Sequence, residues 1–221
     1  VAMAQAAFPP FARSATLTPV RLPDPKTIPP REWLYGRSVI RRYLSLTNGP
    51  GGAGKSALLM ADAVAMASGK TLLPGENPHH PLRVWSHNAE DDATEQHRRL
   101  AACMNHHGIS RADLGNRLFL TSGRDPDWDL QLARQEGGRR QMNEHAIDRV
   151  AEMAIENGID VLILDPLGAI HELPENANED MNFLMRALRK VMDEANIAIM
   201  LAHHVNKTAA LNAVREANAA R

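Results

Sequence analysis

At 221 residues, 44% hydrophobic and 23% charged, the chain has the make-up of an ordinary globular domain, long enough for one well-buried core with an arm and short for two full domains. Its net charge of -1 gives the whole chain no electrostatic footprint for nucleic acid, and its 4% aromatic content argues against a β-sandwich. No apolar run approaches the roughly 18 residues needed to cross a membrane, and with a lone Cys103 and no basic leader before the apolar start the expectation is a cytoplasmic protein with no membrane partner.

Residues 1–30 hold seven prolines and few periodic apolar positions, so they read as a Pro-rich arm, disordered or laid along a neighbouring subunit. Residues 31–221 read as one α/β domain. Its first strand is Tyr43 to Thr47, followed by Gly49-Pro50-Gly51-Gly52-Ala53-Gly54-Lys55-Ser56 and a helix from Ser56 to Ala67. That octad matches G-x-x-x-x-G-K-[ST] in full and stands between strand and helix, where its mechanism needs it. Backbone N–H groups can crowd round phosphate oxygens only where side chains are missing, and a helix N-terminus adds partial positive charge. Lys55 would reach the β- and γ-phosphates of a nucleoside triphosphate, and the Ser56 hydroxyl would ligate Mg²⁺.

A second strand, Arg83 to Ser86, leads to Glu90, and a helix follows from Asp92 to Asn105, with Asp92 and Glu95 spaced as an N-cap and capping box. With Asp92 explained structurally, Glu90 is left as the candidate general base. Leu118 to Thr121 makes a third strand. Trp128, Leu130 and Leu132 then alternate with polar residues ahead of Gly137-Gly138, which predicts an edge strand and a turn. The stripe Ile147, Val150, Ala151, Ala154, Ile155 marks a third helix.

The run from Asp160 to Leu164 is a buried strand that delivers Asp165 to the carboxyl edge of a sheet, where it would hold Mg²⁺ through its water shell. Pro166 leaves no glutamate beside that acid. Met181, Leu184, Met185, Leu188, Val191 and Met192 form a core-facing helix. A last strand, Ile197 to Ala202, ends in His203-His204. A histidine at such a tip can donate to a γ-phosphate. Metal binding is the alternative, since His79-His80 and His106-His107 are also paired, but adjacent residues of an extended chain point apart and no cysteine or carboxylate completes a zinc set.

Strands alternating with helices imply a mostly parallel central sheet with helices on both faces. The motif set as a whole resembles the RecA-like P-loop ATPases of the plasmid RepA helicase type, AAA-labelled proteins of phage and plasmid replication. The resemblance spans residues 28–207 and rests on Ile28-Pro29-Pro30-Arg31-Glu32-Trp33-Leu34, the octad, Glu90-Asp91-Asp92 with Arg99 nine residues on, Asp165-Pro166-Leu167, Glu175-Asn176-Ala177-Asn178 with Asp180-Met181, and His203-His204-Val205-Asn206-Lys207. It implies a RecA-like core in which Glu90 polarises the attacking water, Lys55 and one of His203 or His204 touch or sense phosphate, and ATP with Mg²⁺ sits between subunits of a ring, commonly a hexamer. It also implies nucleotide contacts from Gly49 through Ala57 and from Arg99, and the strand order Leu118, Arg83, Asp160, Ile197, Tyr43, with Glu90 and His204 on either side of Asp165. Relatives of this type continue past the His-His segment with strands carrying an arginine finger and DNA-facing loops, where residues 205–221 read as an Ala- and Asn-rich stretch. Two outputs remain open: an ATP-driven motor on single-stranded DNA, or a regulatory ATPase whose assembly is the output.

Overall fold

The computed structural model describes residues 17–175 and 177–204. They fall into two units, Val1–Pro30 and Arg31–Arg221. In the first, a 3-10 turn at Pro25–Thr27 is opened by Pro25 and capped by Asp24, which accepts from the Lys26 N–H at 2.9 Å.

The second unit begins with a two-stranded antiparallel ribbon, Trp33–Tyr35 (β1) and Val39–Ile40 (β2), unforeseen in the sequence, that buries Leu34, Tyr35 and Val39. Then come Leu44–Gly49 (β3), Lys55–Ser68 (α1), Val84–Asn88 (β4), Ala93–His107 (α2), Arg111–Leu114 (α3), Leu118–Ser122 (β5), Ala133–Glu136 (β6), Arg139–Met142 (β7) and Glu144–Glu156 (α4). The series closes with Val161–Asp165 (β8), His171–Glu172 (β9), Asn178–Ala195 (α5) and Ala198–His204 (β10). Among the described residues, no helix is long and apolar enough to cross a membrane.

Five strands form one all-parallel sheet in the order β3-β10-β8-β4-β5, the order expected from the sequence. Its central strands β8 and β4 are buried along their length because both faces are covered, whereas the edge strand β3 is only partly buried. Val161 and Ile163 of β8, with Ala198, Met200 and Ala202 of β10, join the core under α1; Leu162 and Leu164, with Ile199 and Leu201, join the core under α4 and α5. From α1 that core takes small and large side chains alike, Ala63, Ala65 and Ala67 beside Leu59, Val64 and Met66. Each fully buried branched side chain contributes about 1.5–3 kcal/mol, and β8 is buried along its whole length.

Two expectations need correction. The alternation at Trp128, Leu130 and Leu132 is no strand: Pro126–Trp128 is a 3-10 turn, Leu132 is buried, and Trp128 lies edge-on to Trp85 with ring centroids 5.8 Å apart. The strand pair follows instead as the β6–β7 hairpin, with Gly137 and Gly138 at positive φ in its turn and β9 alongside β6. Asp92 does cap α2, accepting from the Glu95 N–H at 2.8 Å, but Glu95 does not close the box, because its carboxylate is taken by Arg98 and Arg99.

Candidate functional site

Four adjacent strands, β3, β10, β8 and β4, end side by side and deliver Gly49, His204, Asp165 and Asn88 to the carboxyl edge of the sheet, the place where open α/β sheets take their ligands. The loop Gly49–Gly54 turns from β3 into α1 there. Gly52 and Gly54 have φ of 77° and 87°, and a Cβ built on Gly51, Gly52 or Gly54 would meet nothing within 4 Å. Glycine is thus required by backbone conformation at Gly52 and Gly54, and all three leave the space in front of the loop open. Gly54 is the N-cap of α1 and no side chain caps that helix or brings an acid to its first turn, so its first N–H groups keep their bonding capacity for an anion.

Lys55 is buried, 6% exposed, and its Nζ donates to the carbonyls of Gly49 and Pro50, both at 2.9 Å, and to His204 Nδ1 at 3.0 Å. An ammonium can only donate, so Nδ1 accepts and the ring hydrogen belongs on Nε2, which faces Glu90 Oε1 at 3.8 Å. Lys55, His204 and Glu90 therefore form one chain across the mouth of the site. His203, the other expected sensor, is half-buried and does not join it; β10 runs on through both histidines, pairing them with Asn48 and Gly49, and successive strand residues face opposite ways.

Asp165 is 4% exposed, its Oδ2 accepts from Asn88 Nδ2 at 3.1 Å, and its Oδ1 has no partner. A buried, bare carboxylate oxygen is costly unless something fills its coordination. With Ser56, Asn88, Asp91, Gln96 and Arg99 it lines a single cleft at the foot of α1. A hard divalent cation fits this donor set, a hydroxyl and one free carboxylate oxygen with room for water; Ser56 and Asp165 would hold it. Arg99 stands in the cleft but is bound to Asp91 at 2.8 Å and to Glu95 at 3.1 Å. Ala57 is exposed in the first turn of α1. Asn176, Val205, Asn206 and Lys207, expected as part of the motif set, lie outside the described residues.

Asn88 and Gln96 are site residues that the sequence reading did not single out. Gln96 is 2% exposed, and its Nε2 points at the carbonyls of Thr121 at 3.0 Å, Asp91 at 3.3 Å and Asn88 at 3.5 Å, stitching the ends of β4 and β5 to α2. A signal for Asn88 did exist: an asparagine two residues before the candidate base is a residue type that binds backbone N–H groups ahead of it. Nearby, His87 is bonded through Nδ1 to Thr121 Oγ1 at 3.0 Å, and burial lowers its pKa to about 4. His171, after β8, accepts from the Leu173 N–H through Nδ1 at 3.0 Å, and burial lowers it below its ordinary range.

Residues 9–210 match a protein family described as an AAA domain. Among solved structures, the chain is similar to one titled as the crystal structure of the RadB recombinase, with 17% identity and a TM-score of 0.46 over 74% of this chain and 62% of that one. It thus spans less than two thirds of that protein's length.

Proposed function

This chain belongs to the AAA domain family and has the RecA-like P-loop NTPase fold, and from that premise we propose that it binds and hydrolyses MgATP at the edge formed by β3, β10, β8 and β4. The observation that carries the reading is the unspent bonding capacity gathered there: the uncapped N-terminus of α1 behind an open glycine turn, with the bare Asp165 Oδ1 at the foot of the same helix. The α1 N–H groups and Lys55 hold the phosphate chain, Lys55 exchanging His204 for a phosphate oxygen. Ser56 and Asp165 would hold Mg²⁺, which when bound would supply positive charge to the site. Glu90 takes the proton of the attacking water, and His204, released from Lys55, reports the γ-phosphate to the segment after β10.

The biological output is proposed at two levels. The resemblance to RepA-type ATPases points to a homo-oligomeric ring, commonly a hexamer in that type, acting on single-stranded DNA. The charge distribution favours the second output, a regulatory ATPase gated by ATP: the net charge is -1, Arg134 is paired with Glu136, and Arg140 with Glu179 and Asp180. Such charges are spent within the chain before any phosphate backbone arrives.

The test is Lys55→Ala with a fluorescent ATP analogue. The variant is expected to stay folded and to lose most triphosphate affinity, because the ammonium partners phosphate and carbonyls and fills no apolar core. Wild-type affinity in the folded variant removes the reading.

A further inference from the structure

We propose that Asn88, the last residue of β4, is a positioning residue that holds the cation-binding carboxylate of Asp165 and the turn bearing Glu90 in one frame; this rests on the MgATP reading above. Asn88 is 8% exposed, and its side-chain amide is engaged at both ends. Its Oδ1 accepts from the backbone N–H of Glu90 at 2.9 Å and of Asp91 at 2.7 Å, and its Nδ2 donates to Asp165 Oδ2 at 3.1 Å. The amide orientation is fixed by chemistry, since a flipped side chain would set its N–H₂ against two N–H donors and its carbonyl against a carboxylate. The backbone repeats the link, with the Ala89 N–H donating to the Asp165 carbonyl at 2.9 Å.

The division of labour on Asp165 follows. One carboxylate oxygen is tied to Asn88 and the other is buried without a partner, so the amide sets the rotation of the carboxylate and leaves one oxygen free for a cation. The same side chain fixes where β4 stops and how Glu90 leaves it. A serine or alanine at this position could still end the strand, but neither reaches both the carboxylate and the two N–H groups. Gln96, donating to the Asn88 and Asp91 carbonyls, braces the turn from the other side.

The experiment titrates Mg²⁺ into wild type, Asn88→Ala and the near-isosteric Asn88→Asp with a fluorescent ATP analogue present, and measures hydrolysis of each alone and combined with Glu90→Gln. Asn88→Ala is expected to raise the half-saturating Mg²⁺ roughly tenfold, the scale of one lost bond to a charged group, with nucleotide binding in EDTA unchanged. Its hydrolysis should fall by on the order of tenfold to a hundredfold, and by far less in the Glu90→Gln background, because it acts through that residue. Asn88→Asp keeps the acceptor and loses the donor, so it should hold the Glu90 turn and slow hydrolysis at saturating Mg²⁺ far less than Asn88→Ala, while its Mg²⁺ titration departs from wild type. A lowered melting temperature with wild-type Mg²⁺ titrations in both variants, or an equal cost with and without Glu90, overturns the inference and leaves MgATP binding intact. A wild type that binds no MgATP overturns both.

Discussion

Glu90 and Asp91 are chain neighbours with opposite surroundings. Glu90 has a side chain 60% exposed beside His204, whereas Asp91 is 17% exposed and bound to Arg99. A base must be free to take a proton, so Glu90→Gln should keep MgATP binding and slow hydrolysis by on the order of a hundredfold or more, and Asp91→Asn should be much milder. Steady-state rates at saturating MgATP decide it, and reversed effects would make Asp91 the base. A second pair of residues sets a pH dependence away from the site. Asp62 of α1, 6% exposed, accepts from the Tyr35 hydroxyl at 2.9 Å, and burial lifts its pKa from 3.8 to about 6, with the Glu76 charge adding to the rise. The folded chain therefore binds the extra proton between those values, and Asp62 contributes stability that is full below 3.8 and lost as pH rises through about 6, roughly 2–3 kcal/mol. His87 runs the other way: lowered from 6.5 to about 4 by burial, it contributes stability that is present above 6.5 and lost on acidification through about 4. The two nearly cancel in the wild type. Asp62→Asn keeps an acceptor for Tyr35 and should raise stability at pH 7 by roughly 2 kcal/mol while leaving the His87 loss unopposed in acid. Urea midpoints at pH 7 and 4.5 check both signs, and a less stable variant at pH 7 would refute the first. The Tyr35–Asp62 pair could not be read from the sequence, since the two are 27 residues apart and meet only because the β1–β2 ribbon packs on α1. The octad and Asp165 were legible because their chemistry is tied to fixed local spacing and to one end of an apolar strand.

At the level of elements, the five main strands and four long helices were legible because each carries its own period, and because both faces of a parallel sheet must be apolar. What escaped was short and held by tertiary contacts: the β1–β2 ribbon, and a hairpin whose strands, Ala-Arg-Gln-Glu and Arg-Arg-Gln-Met, carry almost no apolar signal. The hairpin is anchored at its ends, where Ala133 is buried and Arg140 reaches Asp180 and Glu179 of α5. The α1 helix is the element on which the site depends, and its far end offers a test of how independent the two ends are. Gly69 ends the helix at φ 72°, returning its N–H to the Ala65 carbonyl, and a Cβ there would stand 2.8 Å from Pro81 Cγ. Gly69→Ala thus combines a left-handed backbone cost of about 1–2 kcal/mol with a clash against a ring that cannot fold away. A denaturation midpoint lowered by that much or more, with unchanged denaturant slope, is expected. ATP affinity of the folded fraction should not move, because a 14-residue helix sets about 20 Å between Gly69 and the phosphate end. A variant of wild-type stability would refute both costs, since a yielding Pro81 removes only the clash and leaves the left-handed backbone at φ 72°.

At the scale of the whole molecule, the question is what the hydrolysis of MgATP would drive, and charge separates the two outputs. Binding to single-stranded DNA through phosphates releases counterions, so the logarithm of affinity falls with the logarithm of salt concentration at a slope of about -0.7 for each phosphate neutralised. A motor that tracks a strand through a channel presents several free cations per subunit. This chain has a net charge of -1, and the arginines of its hairpin and of α2 are bound within the chain: Arg134 to Glu136, Arg140 to Glu179 and Asp180, Arg98 to Glu95, Arg99 to Asp91 and Glu95. Freeing Arg99 or Arg140 for a phosphate leaves the part-buried Asp91 or the buried Asp180 without its partner, so for these two the exchange gains little, whereas the exposed pairs of Arg98 and Arg134 hold them only weakly. The expected result with saturating MgATP is a salt slope per chain shallower than about -2, fewer than three phosphates engaged, alongside an ATPase rate that single-stranded DNA hardly changes. A slope near -5 with DNA-stimulated hydrolysis would instead mean that nucleotide binding rearranges these pairs into a cationic channel, and the motor would then be the right description.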